Sequence, residues 1–333
     1  MTTRFLDQYA RPINYLRVSV TDRCNLRCVY CMPEKGVPLL SHTNILSYEE
    51  ITRVVRVVAQ LGIRKVRLTG GEPLVRDGLG DLVSMLSDIP GVDDLSMTTN
   101  GVLLARHAQD LAQRGLKRVN VSLDSLVPEK YRTITQSGKL ENVWEGIAAA
   151  EKAGLTPIKI NVVVLRGFND VEVVDMARLT IDNDRHFRFI EAMPMGKHKL
   201  WTEQGYVPMA EIKARIETEL GKLEGVSKDA TVVGNGPARY WRLPDSRGTI
   251  GFITPISEHF CAQCNRLRLT SDGKLRPCLL SDYEVDLVPA LRHERNDKYL
   301  TEVVTAAVMN KPECHQLNDD QGGTVREMVQ VGG

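Results

Sequence analysis

Six of the seven cysteines in this 333-residue chain fall into two groups of three. Cys24, Cys28 and Cys31 form a C-x3-C-x2-C run, and Cys261, Cys264 and Cys278 form a C-x2-C-x13-C run. An iron–sulfur cube is normally held by four thiolates, so three thiolates leave one iron open to a small molecule. Two such sites point to one that makes a reactive species and one that holds its target. Zinc is the competing reading. It prefers four ligands, commonly from paired C-x2-C units. The first run has no His or fourth Cys beside it, whereas the second has His259 nearby and Cys314 downstream. A zinc ribbon therefore stays open for the second run. Cys314 otherwise reads as a surface or packing cysteine.

Cations accompany the second run. Arg266 and Arg268 alternate on an expected strand, so they share one face. Two fixed guanidiniums beside an open metal suit an anionic, planar ligand such as a nucleotide, because arginine forks bind phosphate in a bidentate way. For an isolated arginine pair the alternative is a solvated face.

These residues need a frame. Strand patterns cover 15–21, 65–69, 94–99, 118–123, 158–165 and 186–191. Helical patterns cover 48–61, 79–88, 103–114, 141–153 and 171–181. Ser47 is a plausible N-cap, and Gly115 and Gly154 are stops. Repeated β–α units imply a parallel sheet covered by helices, with function at the C-terminal ends of the strands. Polar and glycine residues gather at those ends: 69–73, 98–101, 122–124, Asn161 and 191–196. After about Tyr206 the pattern changes. A helix at 209–220 is followed by antiparallel strands at 231–233, 238–243 and 249–253. A hairpin of 266–270 and 274–275 turns at Ser271-Asp272-Gly273, and helical segments at 285–292 and 299–309 lead to Gly332-Gly333. The expected division is a partial barrel over residues 1–207 and a smaller α+β domain over 208–333.

Composition removes several classes. A net charge of +1 gives no basic field for nucleic acid as main partner. No apolar run approaches the roughly 20 residues of a membrane span. The N-terminus lacks an apolar signal core, and Asp7 argues against an acid-poor transit peptide. The expected compartment is the cytoplasm, where clustered thiols serve as metal ligands or catalysts rather than disulfides.

With Tyr30 just before its third cysteine, the first run resembles the signature of the radical S-adenosylmethionine (SAM) enzymes. Gly70-Gly71-Glu72-Pro73 resembles that family's glycine-rich segment, which contacts the SAM amino group. Glycines at a strand end let backbone approach a ligand closely. The resemblance implies SAM contacts at Tyr30, Gly71, Ser122 and Met193. It also implies a 5′-deoxyadenosyl radical that abstracts hydrogen from the substrate.

Further segments match one branch of that family: Arg11-Pro12, 16–22, 67–73, 98–101, 120–124, 188–191, 261–268 and the terminal diglycine. This branch converts GTP to 3′,8-cyclo-7,8-dihydro-GTP, the first step of molybdenum cofactor biosynthesis. The likeness implies an incomplete (β/α)6 TIM-type barrel whose open side is covered by the C-terminal domain with a second [4Fe-4S] cluster. It implies GTP contacts at Arg17, Arg67, Thr98, Lys159, Arg266, Leu267 and Arg268, with Arg188 as a further candidate. Arg17, Arg266 and Arg268 would act catalytically. Implied partners are an external one-electron reductant, a second copy in a homodimer, and cyclic pyranopterin monophosphate synthase downstream. Single barrel cations such as Arg17, Arg67 and Lys159 otherwise often pair with carboxylates. Two other functions stay open: a radical SAM enzyme that modifies a peptide, and a zinc-containing binding module.

Overall fold

The computed structural model describes residues 5–195, 205–227, 236–294, 297–315 and 325–332. Strands β1 (Tyr15–Ser19), β2 (Lys65–Thr69), β3 (Asp94–Thr99), β4 (Arg118–Ser122), β5 (Ile158–Val164) and β6 (Arg185–Glu191) pair in chain order, all parallel. Between them run α1 (Tyr48–Leu61), α2 (Leu79–Ser87), α3 (Leu104–Gln113), α4 (Pro128–Thr135), α5 (Leu140–Lys152) and α6 (Val173–Asp182). Helix α1 shows why the local sequence suffices. Ser47 and Glu50 form a reciprocal capping box, Gly62 ends the helix in the left-handed region, and Ile51, Val54, Val55 and Val58 share its buried face.

The second half differs from expectation in how it joins the first. It contributes α7 (Met209–Leu220), β7 (Glu224–Gly225), β8 (Arg239–Arg242), β9 (Thr249–Ile253), β10 (Arg266–Leu269), β11 (Lys274–Arg276), β12 (Val285–Asp286), α8 (Asp297–Met309) and α9 (Met328–Val331). β9 is antiparallel to β8, as expected, but parallel to β6. β10 is parallel to β1, and the hairpin with β11 is present. One sheet of twelve described strands results, in the order β12-β11-β10-β1-β2-β3-β4-β5-β6-β9-β8-β7. Its middle is a run of eight parallel strands that does not close. The second half thus extends the barrel sheet at both edges. The helix expected at 285–292 is instead the short β12 and a π-helical turn at Ala290–Glu294. The strand expected at 231–233 and Gly333 lie outside the described residues.

Strand register separates two surfaces. Leu267, Leu16, Val66 and Leu95 stand side by side on β10, β1, β2 and β3 and join the hydrophobic core under the helices. The next row is Arg268, Arg17, Arg67 and Ser96. Alternation therefore turns this row of cations to the concave side. No helix among the described residues is long and apolar enough to cross a membrane.

Candidate active site

The loop after β1 carries the first three cysteines, and its backbone is fastened on two sides. Arg27 and Val29 donate to the carbonyls of Thr135 and Ile134 at the end of α4, at 3.0 and 2.9 Å. Gly71 and Glu72 donate to the carbonyls of Thr21 and Arg23, both at 2.8 Å. Gly71 lies so close that an added Cβ would overlap the Arg23 carbonyl. Gly71→Ala is therefore expected to push the two loops apart, at a cost of about 1–3 kcal/mol in overpacking. A thermal melt should fall, and SAM affinity of the reconstituted protein should fall with it. Unchanged SAM binding would show that this backbone contact does not shape the site.

The Glu72 carboxylate locks the strand ends together. It accepts from Leu74 N at 3.1 Å, Thr99 Oγ1 at 2.7 Å and Asn100 N at 2.6 Å. Burial pushes this carboxyl up to about 7, against those three donors. Asn100 Nδ2 in turn donates to Asn25 Oδ1 at 2.8 Å and faces Cys24 Sγ at 3.9 Å. On the other flank Tyr30 donates to Asp124 Oδ2 at 2.6 Å, and Val163 N donates to Asp124 Oδ1 at 2.9 Å.

The second triad faces the same space. Cys264 N donates to Cys261 O at 3.0 Å in a tight turn, and β10 and β11 then lead to Cys278. Arg266 Nη2 lies 4.0 Å from Cys264 Sγ, with its guanidinium 4.9 Å from the Phe260 ring centre. The two triads differ electrically. Burial raises the Cys24 thiol to about 11 and the Cys28 thiol well above its ordinary value. Burial also pushes Cys264 up, but Arg266 and Lys311 bring it down to about 6.

A single cavity is lined by both triads and by Arg17, Arg67, Thr98, Lys159, Arg266 and Arg268. Tyr30, Gly71, Ser122, Met193 and Arg188 line it as well. Leu267 does not line the cavity with the others; its side chain is fully buried in the core between the two inward-facing arginines. The sequence alone assigns no individual role to Asp124, Glu72, Arg118 or Tyr15. Arg118 makes a bidentate ion pair with Asp94, at 2.5 and 2.6 Å. The C-terminal segment also enters: Met328 and Val329 line the cavity, and Arg268 Nη1 donates to Gly332 O at 2.5 Å.

Comparison with known proteins resolves which chemistry this arrangement serves. Residues 18–180 match the radical SAM superfamily, and residues 185–317 match the Molybdenum Cofactor Synthesis C family. The chain is 52% identical to a GTP 3′,8-cyclase of Pelotomaculum thermopropionicum, over 98% of this chain and 99% of that one. It is 51% identical to a GTP 3′,8-cyclase of Moorella thermoacetica, over 98% and 99%. The chain belongs to the GTP 3′,8-cyclase family. Among solved structures, SuiB of Streptococcus suis bound to S-adenosylmethionine superposes with a TM-score of 0.62 at 12% identity, over 96% of this chain and 77% of that one. Native anSMEcpe with bound AdoMet and a peptide gives 0.55 at 16% identity, over 91% and 81%. These two establish the shared fold, and the family rests on the cyclases.

Membership in this family implies [4Fe-4S] clusters and SAM, and the residues present fit both. Within each triad the thiols act on one another: Cys31 and Cys24 raise Cys28, and Cys278 and Cys264 raise Cys261, in each case after burial. Three neighbouring thiols in each triad fit three corners of a cube, with the fourth iron left for a ligand. Buried polar atoms without a protein partner are available to a ligand. Thr98 Oγ1, Asn161 Oδ1, Arg188 Nε and the Tyr15 hydroxyl are such atoms on the cavity wall.

Proposed function

We propose that Cys24, Cys28 and Cys31 hold the SAM-binding [4Fe-4S] cluster and that Cys261, Cys264 and Cys278 hold a second cluster facing GTP. The first belongs to a radical SAM core of residues 1–207, the second to a C-terminal unit of residues 208–333. Bound SAM and the first cluster supply the 5′-deoxyadenosyl radical that converts GTP to (8S)-3′,8-cyclo-7,8-dihydroguanosine 5′-triphosphate, the opening step of molybdenum cofactor biosynthesis. The observation that carries the assignment is one cavity walled at once by both triads and by a register-aligned row of arginines.

The chain's own residues then divide the work. Gly71 offers backbone to SAM, Ser122 and Met193 face its ribose and adenine ends, and Asp124 fixes the Tyr30 side chain beside the cluster loop. Arg17, Arg67, Lys159 and Arg268 meet the triphosphate and ribose, and Arg188 adds a further guanidinium. Thr98 supplies a hydroxyl, and Leu267 a backbone contact. Arg266 stands between the second cluster and the nucleotide. Arg17, Arg266 and Arg268 hold GTP so that the reacting ribose and guanine carbons meet. The electron comes from an external one-electron donor. A cytoplasmic homodimer passing its product to cyclic pyranopterin monophosphate synthase completes the reading, on the family resemblance. Anaerobic incubation with SAM, dithionite and GTP tests it. The expected result is 5′-deoxyadenosine and cyclic product only when GTP is present; 5′-deoxyadenosine that ignores GTP counts against it.

Lys159 makes a second measurement available. Burial lowers its ammonium to about 6, helped by Arg188, Arg118 and Arg67. At pH 8 the amine in the empty site is therefore neutral, and an arriving triphosphate raises its pKa. GTP binding should take up about one proton at this pH, and affinity should weaken as pH rises above 6. Calorimetry in buffers of different ionisation enthalpy reads this uptake. Lys159→Met should abolish the buffer dependence, and equal uptake in that variant would place the phosphates elsewhere.

A further inference from the structure

Behind the second triad lies a lysine that neither the sequence motifs nor the substrate contacts explain. Lys311 lies two residues past the end of α8 and is 1% exposed. Its Nζ donates to the carbonyl of Arg266 at 3.0 Å and to the carbonyl of Pro277. Arg266 stands two residues after Cys264, and Pro277 immediately precedes Cys278. One ammonium thus ties the two backbone segments that present two of the three thiols. Its own backbone is held from the other side, because Gln8 Nε2 donates to Lys311 O at 3.3 Å.

The charges around it are uneven. Arg11, a buried cation nearby, meets the Asp7 carboxylate at 2.6 Å and donates to the carbonyls of Cys261, Pro312 and Glu313. Its charge is therefore balanced. Lys311 has no carboxylate pairing with it among the described residues. Burial opposes its charged form, Arg11 and Arg266 oppose it further, and Cys264 and Cys278 are the groups that favour it. A buried ammonium is costly unless paired with negative charge. Two neutral carbonyls satisfy hydrogen bonds but supply no counter-charge, and the thiolates of a bound cluster supply it.

We propose that Lys311 is the built-in counter-charge of the second cluster. Held behind Cys264 and Cys278, its ammonium offsets the negative charge of a thiolate-ligated cube and makes the cube easier to reduce by one electron. Reduction adds one negative charge to the cube, and a fixed cation behind its ligands would stabilise that state more than the oxidised one. Lys311 touches neither substrate nor SAM, so it is a positioning and tuning residue. The inference rests on the second triad holding a cube, which iron and sulfide analysis of the parent protein tests separately.

The decisive experiment uses the full chain with Cys24, Cys28 and Cys31 all replaced by Ser, so that only the second cube contributes to the spectrum. Anaerobically reconstituted protein is reduced stepwise with dithionite and followed by electron paramagnetic resonance. Lys311→Gln and Lys311→Met should shift the midpoint to more negative potential. At a fixed potential the reduced-to-oxidised ratio should fall roughly ten- to hundredfold, as expected for a lost unit charge at an effective dielectric near 20. Lys311→Arg, which keeps the charge, should stay within a few-fold of the parent. Loss of the cube from both neutral variants, with circular dichroism and melting unchanged, would also support the assignment. A parental midpoint in a folded neutral variant overturns it, as does global unfolding of both, which would make Lys311 structural. A parent without iron at this triad overturns the cluster assignment first, and the inference with it.

Discussion

Arg17→Gln is expected to lower GTP turnover by roughly 10–100-fold, the cost of losing hydrogen bonds to a charged partner. Its melting temperature should stay unchanged or rise. Arg17 is half-buried on the concave side of β1, with Arg268 and Arg67 beside it in register. Burial lowers its guanidinium to about 10; Tyr15 opposes this, and Arg67, Arg266 and Arg188 add to it. In the empty enzyme these cations repel one another, and the arriving anion is what rewards the arrangement. Removing one therefore relieves the empty protein while depriving the substrate complex. That opposition between stability and activity separates binding from scaffolding. Anaerobic steady-state kinetics and a thermal melt of the same reconstituted sample measure both sides. A lower melting temperature accompanying the activity loss would mean that Arg17 holds the barrel together.

The cysteine triads predict a larger and qualitatively different loss. Cys28→Ser should bring 5′-deoxyadenosine and cyclic product below roughly one-thousandth of the parent rate, because the acceleration runs through the cofactor that this triad holds. Cys264→Ser should abolish the cyclic product just as fully. It should nevertheless keep the first cluster and some GTP-independent formation of 5′-deoxyadenosine. Iron content, 5′-deoxyadenosine and cyclic product are read from the same anaerobic reactions. Cyclic product from Cys28→Ser, or an iron-free Cys264→Ser protein, would break the division of labour between the triads.

Much of this was readable before any coordinates. Lys65–Thr69 and Asp94–Thr99 stand as strands with the expected bounds, and α1 matches in its Ser47 cap and its bounds. Their alternation and caps are local, so local sequence is enough. The shared face of Arg266 and Arg268 followed from the same alternation, and that rule also sends Leu267 into the core. Helix α4 carries only a weak signal in its sequence. Its apolar face comes down to Tyr131 and Ile134, too few for a clear helical period, although Pro128 at its first turn was an available start signal. The partners of β9 and β10 were out of reach. Alternation fixes which face a residue takes, but not which strand lies alongside or in which direction. Glu72, Asp124 and Lys311 needed tertiary structure for the same reason, since a buried polar residue is defined by partners far away in the chain.

Strands β9 and β10 lie against β6 and β1, the two outer members of the six-strand core. Each would otherwise present a row of bare amides and carbonyls, a template for sticking to another chain. The segment between these strands carries Cys261 and Cys264. The stretch that carries two cysteines of the second triad is therefore stitched into both flanks of the six-strand core. Deleting the second half would bare both edges of the core sheet, and the spacing between the two cysteine triads is set by that sheet rather than by a hinge.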